Sequence, residues 1–563
     1  MHNLFDALDE SQKQAVFHSH GPALVVAGPG SGKTTVILSR VWYLISRCQI
    51  PPEQILVLTF TKAAARTLQS RLLTFNNGQY VPVSFGTFHS FFYQILKQYG
   101  SYKDSNIITT KEKQNILEEI GIKDKSLYRD ILYAISVKLN NPNADESHIL
   151  PKEFTLEDFN KVLGAYLEVI QRDNLLDFDY MAELTWQLLA GRQNVLCQLQ
   201  RQYKYILVDE FQDTNPHQYA VLKMLSNKSK ELFAVGDDDQ AIYSFRGSFP
   251  GIMQQFVEDY NPCINYYLST NYRSAQMIVK DAGRLISNNK DRLDKEMKPY
   301  SKEIGKVQYL SFEENREEYE FIKIRVLRLK EDMPWDDMAV IARTNKQLEQ
   351  LIPYFQRGNI PYVNSEKTRT SSNEVINDLI MLNGYILGDA TKVRLWRKIV
   401  KNGSKEARFW ADKPPSLFMN YLIHGTDYLE YIKKNQDYEE NRMELYKLVE
   451  ESKNYKDMHI FAAEIKQKRV QKTEHDSGVH LLTMHGAKGL EFAYVALIDI
   501  NEGIIPGKGN ISMSQIEEER RMLYVGMTRA KKILDVCYLK GTKEHPRFVS
   551  RFLNPLLMKE NRD

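Results

Sequence analysis

Lys33 and Thr34 close a glycine-rich run, Ala27-Gly28-Pro29-Gly30-Ser31-Gly32-Lys33-Thr34-Thr35. Four apolar residues, Ala23 to Val26, precede it, and Val36 to Val41 continue it at helical spacing. Strand, glycine turn, helix is the context in which such a run cradles phosphate. Gly28, Gly30 and Gly32 allow the turn that aims amide N–H groups at phosphate oxygens, with Pro29, Ser31 and Thr35 in the same cradle. The helix opening near Lys33 adds the positive end of its dipole. Lys33 is placed to reach β/γ phosphates, and the Thr34 hydroxyl to ligate Mg²⁺. A second apolar run, Tyr205 to Val208, delivers the adjacent carboxylates Asp209 and Glu210. Asp209 can hold Mg²⁺, and Glu210 can orient and deprotonate an attacking water.

These residues need a parallel sheet whose strand ends and helix starts face one ligand edge. Ahead of the glycine run, Gln12 lies fifteen residues before Ala27, where a side-chain amide can read an adenine edge. Behind it, a strand over 54–58 runs into Thr59-Phe60-Thr61-Lys62, and Ser84-Phe85-Gly86-Thr87-Phe88-His89 marks another edge. Aromatic rings with Thr, His and Lys nearby suit single-strand nucleic acid. The strand over 232–235 leads to Gly236-Asp237-Asp238-Asp239-Gln240-Ala241-Ile242-Tyr243-Ser244-Phe245-Arg246-Gly247. There Gln240 is placed to sense a γ-phosphate, while Tyr243 and Phe245 lie beyond it and can touch a strand. Leu268 to Ser274 then brings Arg273. Further strands are expected at 338–342, 479–483 and 495–498, and Arg529 follows a helical stretch in the manner of an arginine finger.

The bulk composition narrows the class. At 563 residues and about 150 per domain, three to four domains are expected. Apolar content of 43% and charged content of 26% are ordinary for a globular chain, and a net charge of +3 makes any nucleic-acid surface a local stripe. The four cysteines, Cys48, Cys197, Cys263 and Cys537, form no CxxC pair, which argues against a zinc site or a disulfide framework. With no apolar signal core and no membrane-length run, a cytoplasmic location is expected.

The segments SQKQAV, AGPGSGKTT, TFTKAAA, GTFHS, VDEFQDTN, VGDDDQAIYSFRG, NYRS, TMHGAKGLEF and YVGMTRAKK resemble, in order, those of the UvrD/Rep/PcrA family of superfamily-one helicases. The resemblance implies an α/β fold of two RecA-like P-loop motor domains, each carrying a mostly helical insertion. ATP would bind between them with Mg²⁺, and single-stranded DNA would cross both with 3′-to-5′ tracking. By position, Gln12 would contact adenine, Glu491 would lie near the ribose, and Gln240, Arg273 and Arg529 would contact the γ-phosphate, both arginines coming from the second lobe. Phe60, Thr61, Thr87, His89, Tyr243, Phe245, Arg246 and His485 would contact the strand.

The expected division is 1–98 and 186–272 for the first motor domain, 99–185 for its helical insertion, 273–387 and 478–563 for the second motor domain, and 388–477 for a second, shortened helical insertion. Three features depart from the family pattern: Lys62 replaces an asparagine, Phe245 replaces a tryptophan, and the second insertion is about half the usual size. The C-terminal extension of some relatives is expected to be missing. The expected activity is ATP-driven translocation and unwinding on single strands and single-strand/duplex junctions, by a monomer or weakly self-associating chain in repair, replication or defence. The alternatives are a motor that needs a partner such as a nuclease, and an ATP-gated DNA-binding switch.

Overall fold

The structure is a computed structural model that describes residues 4–143, 150–151, 154–244, 247–249, 251–364, 374–388, 393–400, 407–433, 438–471, 477–509, 512–542 and 544–557. Phe245 and Arg246 lie outside the described residues. The chain divides into two compact units, one of residues 1–333, 337–351 and 483–563, the other of 334–336 and 352–482.

The first unit contains a six-stranded sheet of β1 (Ala23–Ala27), β2 (Ile55–Thr59), β3 (Ser84–Thr87), β4 (Tyr205–Val208), β5 (Leu232–Gly236) and β6 (Ile264–Leu268). Its order is β3-β2-β4-β5-β1-β6, with every pairing parallel. Because both faces are covered, the central strands read as unbroken apolar runs. The alternation is still visible in the packing: Leu24 and Val26 enter one core with Leu56, Leu58, Ile206 and Val208, while Ala23, Val25 and Ala27 enter another with Ile55, Val57, Leu207 and Val235. The insertion of β5 between β1 and β4 gathers three C-terminal strand ends at one edge. These carry the glycine loop, the Asp209–Glu210 pair and the Asp237–Gln240 turn.

Between β3 and β4 the helices Thr110–Glu119, Tyr128–Asn140 and Leu156–Arg172 build their own core from Ile116, Leu117, Ile131, Ile135, Phe159 and Tyr166. The helix Met181–Gly191 crosses the expected boundary at 185, and its Met181, Ala182 and Leu189 pack into the core of the first sheet. A continuous helix leaves no compositional mark there, so the division falls earlier in the chain than composition suggests.

Two short parallel strands, β7 (Thr270–Asn271) and β8 (Lys298–Pro299), follow β6. The first unit then contributes β9 (Lys306–Phe312) and β10 (Met338–Ala342). The second unit holds β11 (Tyr362–Val363) in parallel with the start of β12 (Val479–Thr483). Back in the first unit, β13 (Phe492–Leu497) and β14 (Ala530–Leu539) complete a parallel set in the order β10-β13-β14-β9.

The second unit is mainly helical, and its core runs from Val375, Ile376 and Leu379 through Trp396, Phe418, Leu422 and Leu448 to Phe461 and Ile465. The helix Glu374–Ile386 therefore belongs to this core, whereas the expected start was 388. Its apolar run (Val375, Ile376, Leu379, Ile380, Leu382) matches a helix buried among helices as well as one buried on a sheet, and composition does not distinguish them. No helix among the described residues is long and apolar enough to cross a membrane.

Candidate functional site

The glycine loop leaves β1 at Ala27 and enters the helix Lys33–Ser46. Gly30 and Gly32 hold φ of 69° and 86°, which an L side chain resists. The loop also has no room for one: a Cβ on Gly32 would lie 2.7 Å from Gln12 Nε2, and on Gly30 2.6 Å from Arg273 Cβ. Gln12 is buried; its Nε2 donates to Ser31 O at 3.0 Å and its Oε1 accepts from Asp9 N at 3.1 Å. It thus props the loop as well as standing beside it. Thr34 and Thr35 sit half-buried in the helix's first turn. Ser31 Oγ closes the loop on Gly28 O at 2.7 Å, and Lys33 Nζ donates to Ala27 O at 3.1 Å.

Asp209 and Glu210 directly follow β4, Glu210 with a left-handed φ of 51°. Burial, and then the neighbouring Glu210 charge, push the Asp209 carboxyl up to about 7. Glu210 keeps its carboxylate below the ordinary range: burial opposes ionisation, and Lys33, Lys488 and a 2.7 Å hydrogen bond from Gln212 Nε2 overcome it. Two enclosed carboxylates, one of them resisting ionisation, form a donor set that a divalent cation suits. At the end of β5, Gln240 donates through Nε2 to Asp237 and accepts at Oε1 from Arg529 at 3.2 Å.

Arg529 is 1% exposed. Its acceptors are Val525 O at 2.8 Å, Leu490 O at 3.2 Å, Thr528 Oγ1 at 3.0 Å and Gln240 Oε1, all neutral. Burial, then the nearby Arg273, push the guanidinium down to about 9. No carboxylate pairs with Arg529 among the described residues, and Lys33 likewise bonds only to carbonyls, at Ala27 and Gly28. Two cations held by neutral groups at one edge make a site for an anion with several charges.

Arg273 sits at the seam between the sheets. Asn271 Nδ2 donates to Pro29 O at 2.8 Å and Tyr272 N to Gly30 O at 2.9 Å, while Ser274 Oγ donates to Ala530 O at 2.6 Å. Its segment is thus stapled to the glycine loop and to β14 together, and the expected origin of Arg273 in the second lobe alone is too simple. Arg273 Nε pairs with Glu491 Oε2 at 2.7 Å, and Lys531 Nζ reaches Glu491 Oε1 at 2.8 Å. Burial works against the Glu491 charge, but Lys531 and Arg273 hold its carboxyl below the usual range.

Three of the strand-contact candidates come together. The Phe60 and Tyr243 rings stack at 5.0 Å and 18°, and His485 lies 6.0 Å from Tyr243. His89 meets the exposed Phe178 edge-on at 6.1 Å instead. Thr61 and Thr87 are helix N-caps, accepting from Ala64 N at 3.1 Å and Ser90 N at 3.2 Å, and Thr87 is buried. Their hydroxyl oxygens are engaged with backbone.

Sequence reasoning missed several residues at this edge. Lys488 Nζ pairs with Asp213 Oδ2 at 2.6 Å, donates to Gln240 O at 2.8 Å and lies 4.8 Å from the Tyr243 ring. Burial opposes its charge, while Asp213 and Glu210 hold it on. Tyr272, whose signal was an aromatic directly before Arg273, is exposed, bonds to Asp9 and packs 4.8 Å from Tyr300. Asp237, Asp238 and Asp239 are the one cluster of three or more His, Cys, Asp or Glu side chains among the described residues close enough together to share a metal. Lys295 Nζ already fills that place at 3.1, 2.5 and 2.8 Å, and Arg292 grips Asp239 at 2.9 and 2.7 Å.

Comparison with known proteins agrees with this layout. Residues 8–261 match the UvrD/REP helicase N-terminal domain, and 266–407 and 398–541 match the UvrD-like helicase C-terminal domain. The ATP-dependent DNA helicase Rep of Buchnera aphidicola subsp. Acyrthosiphon pisum (strain APS) is 30% identical, over 97% of this chain and 98% of that protein. The putative ATP-dependent DNA helicase YjcD of Bacillus subtilis (strain 168) is also 30% identical, over 98% and 81%. The ATP-dependent DNA helicase PcrA of Staphylococcus aureus (strain Mu50 / ATCC 700699) is 27% identical, over 99% and 87%. The glycine loop and the acidic pair lie inside the first matched domain and Arg529 inside the second, so both halves of the site fall where these domains do: the chain belongs to the family of UvrD-like helicases.

Proposed function

We propose that the chain is an ATP-dependent DNA helicase that moves 3′-to-5′ on single strands and opens duplex at single-strand/duplex junctions. The observation that carries the reading is the pair Lys33 and Arg529, two cations bonded only to neutral groups. A triphosphate can bond to both directly in place of those neutral acceptors.

In this reading the first sheet with its insertion and the second sheet with the helical unit are the two motor domains, each with its insertion. The glycine-loop amides and Lys33 bind the phosphates, Gln12 and the Tyr272 ring receive the adenine, and Glu491 lies near the ribose. Thr34 and Asp209 would hold Mg²⁺, which when bound draws charge from the phosphate oxygens. Glu210, kept ionised, orients the water and takes its proton. Gln240 and Arg529 touch the γ-phosphate together, because one already holds the other. Arg273 joins them by leaving Glu491. Arginine stabilisation of this kind is worth about 10³–10⁵ in rate. Phe60, Tyr243, His485 and His89 with Phe178 offer ring faces to bases without reading sequence. Lys488 bonds the Gln240 carbonyl and stands over the Tyr243 ring, so nucleotide state and strand grip share one side chain. The motor works in the cytoplasm as a monomer or a weakly self-associating chain.

A strand-displacement assay with the isolated chain on 3′-tailed and 5′-tailed duplexes tests the reading. Opening of the 3′-tailed duplex alone, dependent on ATP, is expected. Opening of neither would leave a partner-dependent motor, and opening of the 5′-tailed duplex would reverse the polarity.

A further inference from the structure

Asn215, which ends the segment 209–215, and Gly247, which follows the segment 237–244 in the chain, meet one side chain from outside the site. Asn140 ends the helix Tyr128–Asn140 and is 6% exposed. Its Oδ1 accepts from Asn215 Nδ2 at 2.8 Å, and its Nδ2 donates to Ser136 O at 2.9 Å and Asp179 Oδ1 at 3.1 Å. Asn215 stands two residues after Asp213 and caps the helix Pro216–Ser226, its Oδ1 accepting from Gln218 N at 2.8 Å. Gly247, with φ of 82°, lies against the same side chain: a Cβ there would come 2.5 Å from Asn140 Cβ. Every donor and acceptor of the Asn140 amide is therefore matched, in a place where an unmatched one is costly.

The chain of contacts continues outward. Asp179 Oδ2 pairs with Lys113 Nζ at 2.9 Å, and Lys113 also holds Asp177 Oδ1 at 2.5 Å. Between the two aspartates, Phe178 projects to solvent edge-on against His89. A strand that displaces or orders Phe178 shifts a segment whose two ends are both tied into this polar cluster. Buried, fully matched networks move as units and do not stretch, which is what a link between two sites requires.

We propose that Asn140 is a positioning residue through which strand contact at His89 and Phe178 sets the two nucleotide-facing segments. This rests on the strand-motor reading above. Coupling of this kind is reciprocal: DNA changes nucleotide affinity by the factor by which nucleotide changes DNA affinity.

The full-length chain tests it with an oligo-dT 20-mer and a non-hydrolysable ATP analogue as probes. For Asn140→Ala, and for the isosteric Asn140→Asp, DNA-free kcat and KM are expected to stay within about twofold of wild type. Stimulation of kcat by oligo-dT is expected to fall by about tenfold, and the ratio of DNA Kd values with and without the analogue to move towards one. A merely structural asparagine would lower Tm and leave that ratio at its wild-type value, which would overturn the proposal. Should neither variant fold, amide exchange on the wild type decides. Oligo-dT is expected to slow exchange at residues 137–141 and 215–218 together, and no change at 215–218 would overturn it. A wild type whose ATP hydrolysis ignores oligo-dT would overturn the motor reading as well. A stimulated wild type with an equally stimulated Asn140→Ala overturns this inference alone.

Discussion

The Tyr243 ring touches both Phe60 and Lys488, stacked on the first at 5.0 Å and 4.8 Å from the ammonium of the second. Contacts thus run from Phe60 through Tyr243 and Lys488 to Asp213. Because base–aromatic stacking is worth about 1–3 kcal/mol per base, Phe60→Ala is expected to raise the Kd for oligo-dT by roughly 5- to 150-fold. DNA-free ATP hydrolysis is expected to persist. Fluorescence anisotropy and a coupled ATPase assay check both; joint loss of DNA-free activity and folded protein would make Phe60 a core residue.

Hydrolysis is expected to depend on groups from both sheets. Lys33→Ala and Arg529→Ala should each lower DNA-stimulated kcat by about 10³ or more. Glu210→Gln should do the same yet still bind nucleotide, since it removes the base and not the phosphate cradle. Arg529→Ala turning over at a near-normal rate would show that its burial serves packing alone.

The Lys488–Asp213 pair is buried on both sides, with side chains 6% and 1% exposed. Removing one member of such a pair typically costs about 3–5 kcal/mol, because the other charge is left stranded. Lys488→Met is therefore expected to lower Tm by many degrees, and Lys488→Met with Asp213→Asn to restore most of it. The double variant should still fail to raise ATP turnover with DNA, since Gln240 and Tyr243 have lost their common neighbour. Thermal unfolding beside the ATPase assay separates the two effects.

The helical unit offers a cut that its own core defines. Replacing 374–471 with a flexible linker removes that core whole and should leave DNA-stimulated ATPase within severalfold, with unwinding changed by less than tenfold, about 1.4 kcal/mol. Replacing 388–477 instead strands the helix Glu374–Ile386 with Val375, Leu379 and Leu382 uncovered. That variant is expected to aggregate. Gel filtration distinguishes the outcomes.

Many strands of both large sheets were legible, for a plain reason. Strands buried on both faces leave unbroken apolar runs, so β1, β4, β5, β10 and β12 stand within a residue of where the runs place them. Boundaries set by packing were not legible. Nothing local distinguishes the helix Met181–Gly191, shared between two cores, from one that belongs to a single core. Lys295 and its three aspartates are far apart in the chain, and a polar run such as Asn288–Lys295 carries no mark of the charges it will meet. The caps at Thr61 and Thr87 did have a local signal: a threonine just before an apolar helix, with Ser90 three residues on from Thr87, is a capping pattern. Those hydroxyls could have been assigned to the backbone from sequence.

Lys295 has a bearing on how the molecule comes off the ribosome. The first sheet is complete in sequence at Leu268, yet the three carboxylates at the tip of its fifth strand pair with Arg292 and Lys295. A nascent chain that has just finished the sheet holds three adjacent acids with only Lys33 near Asp237 as counter-charge, and cannot enclose all three until the next stretch emerges. The tip of the first sheet is therefore closed by residues made after the sheet itself. A fragment ending at 272 is expected to stay loose and protease-sensitive, and one ending at 300 to close.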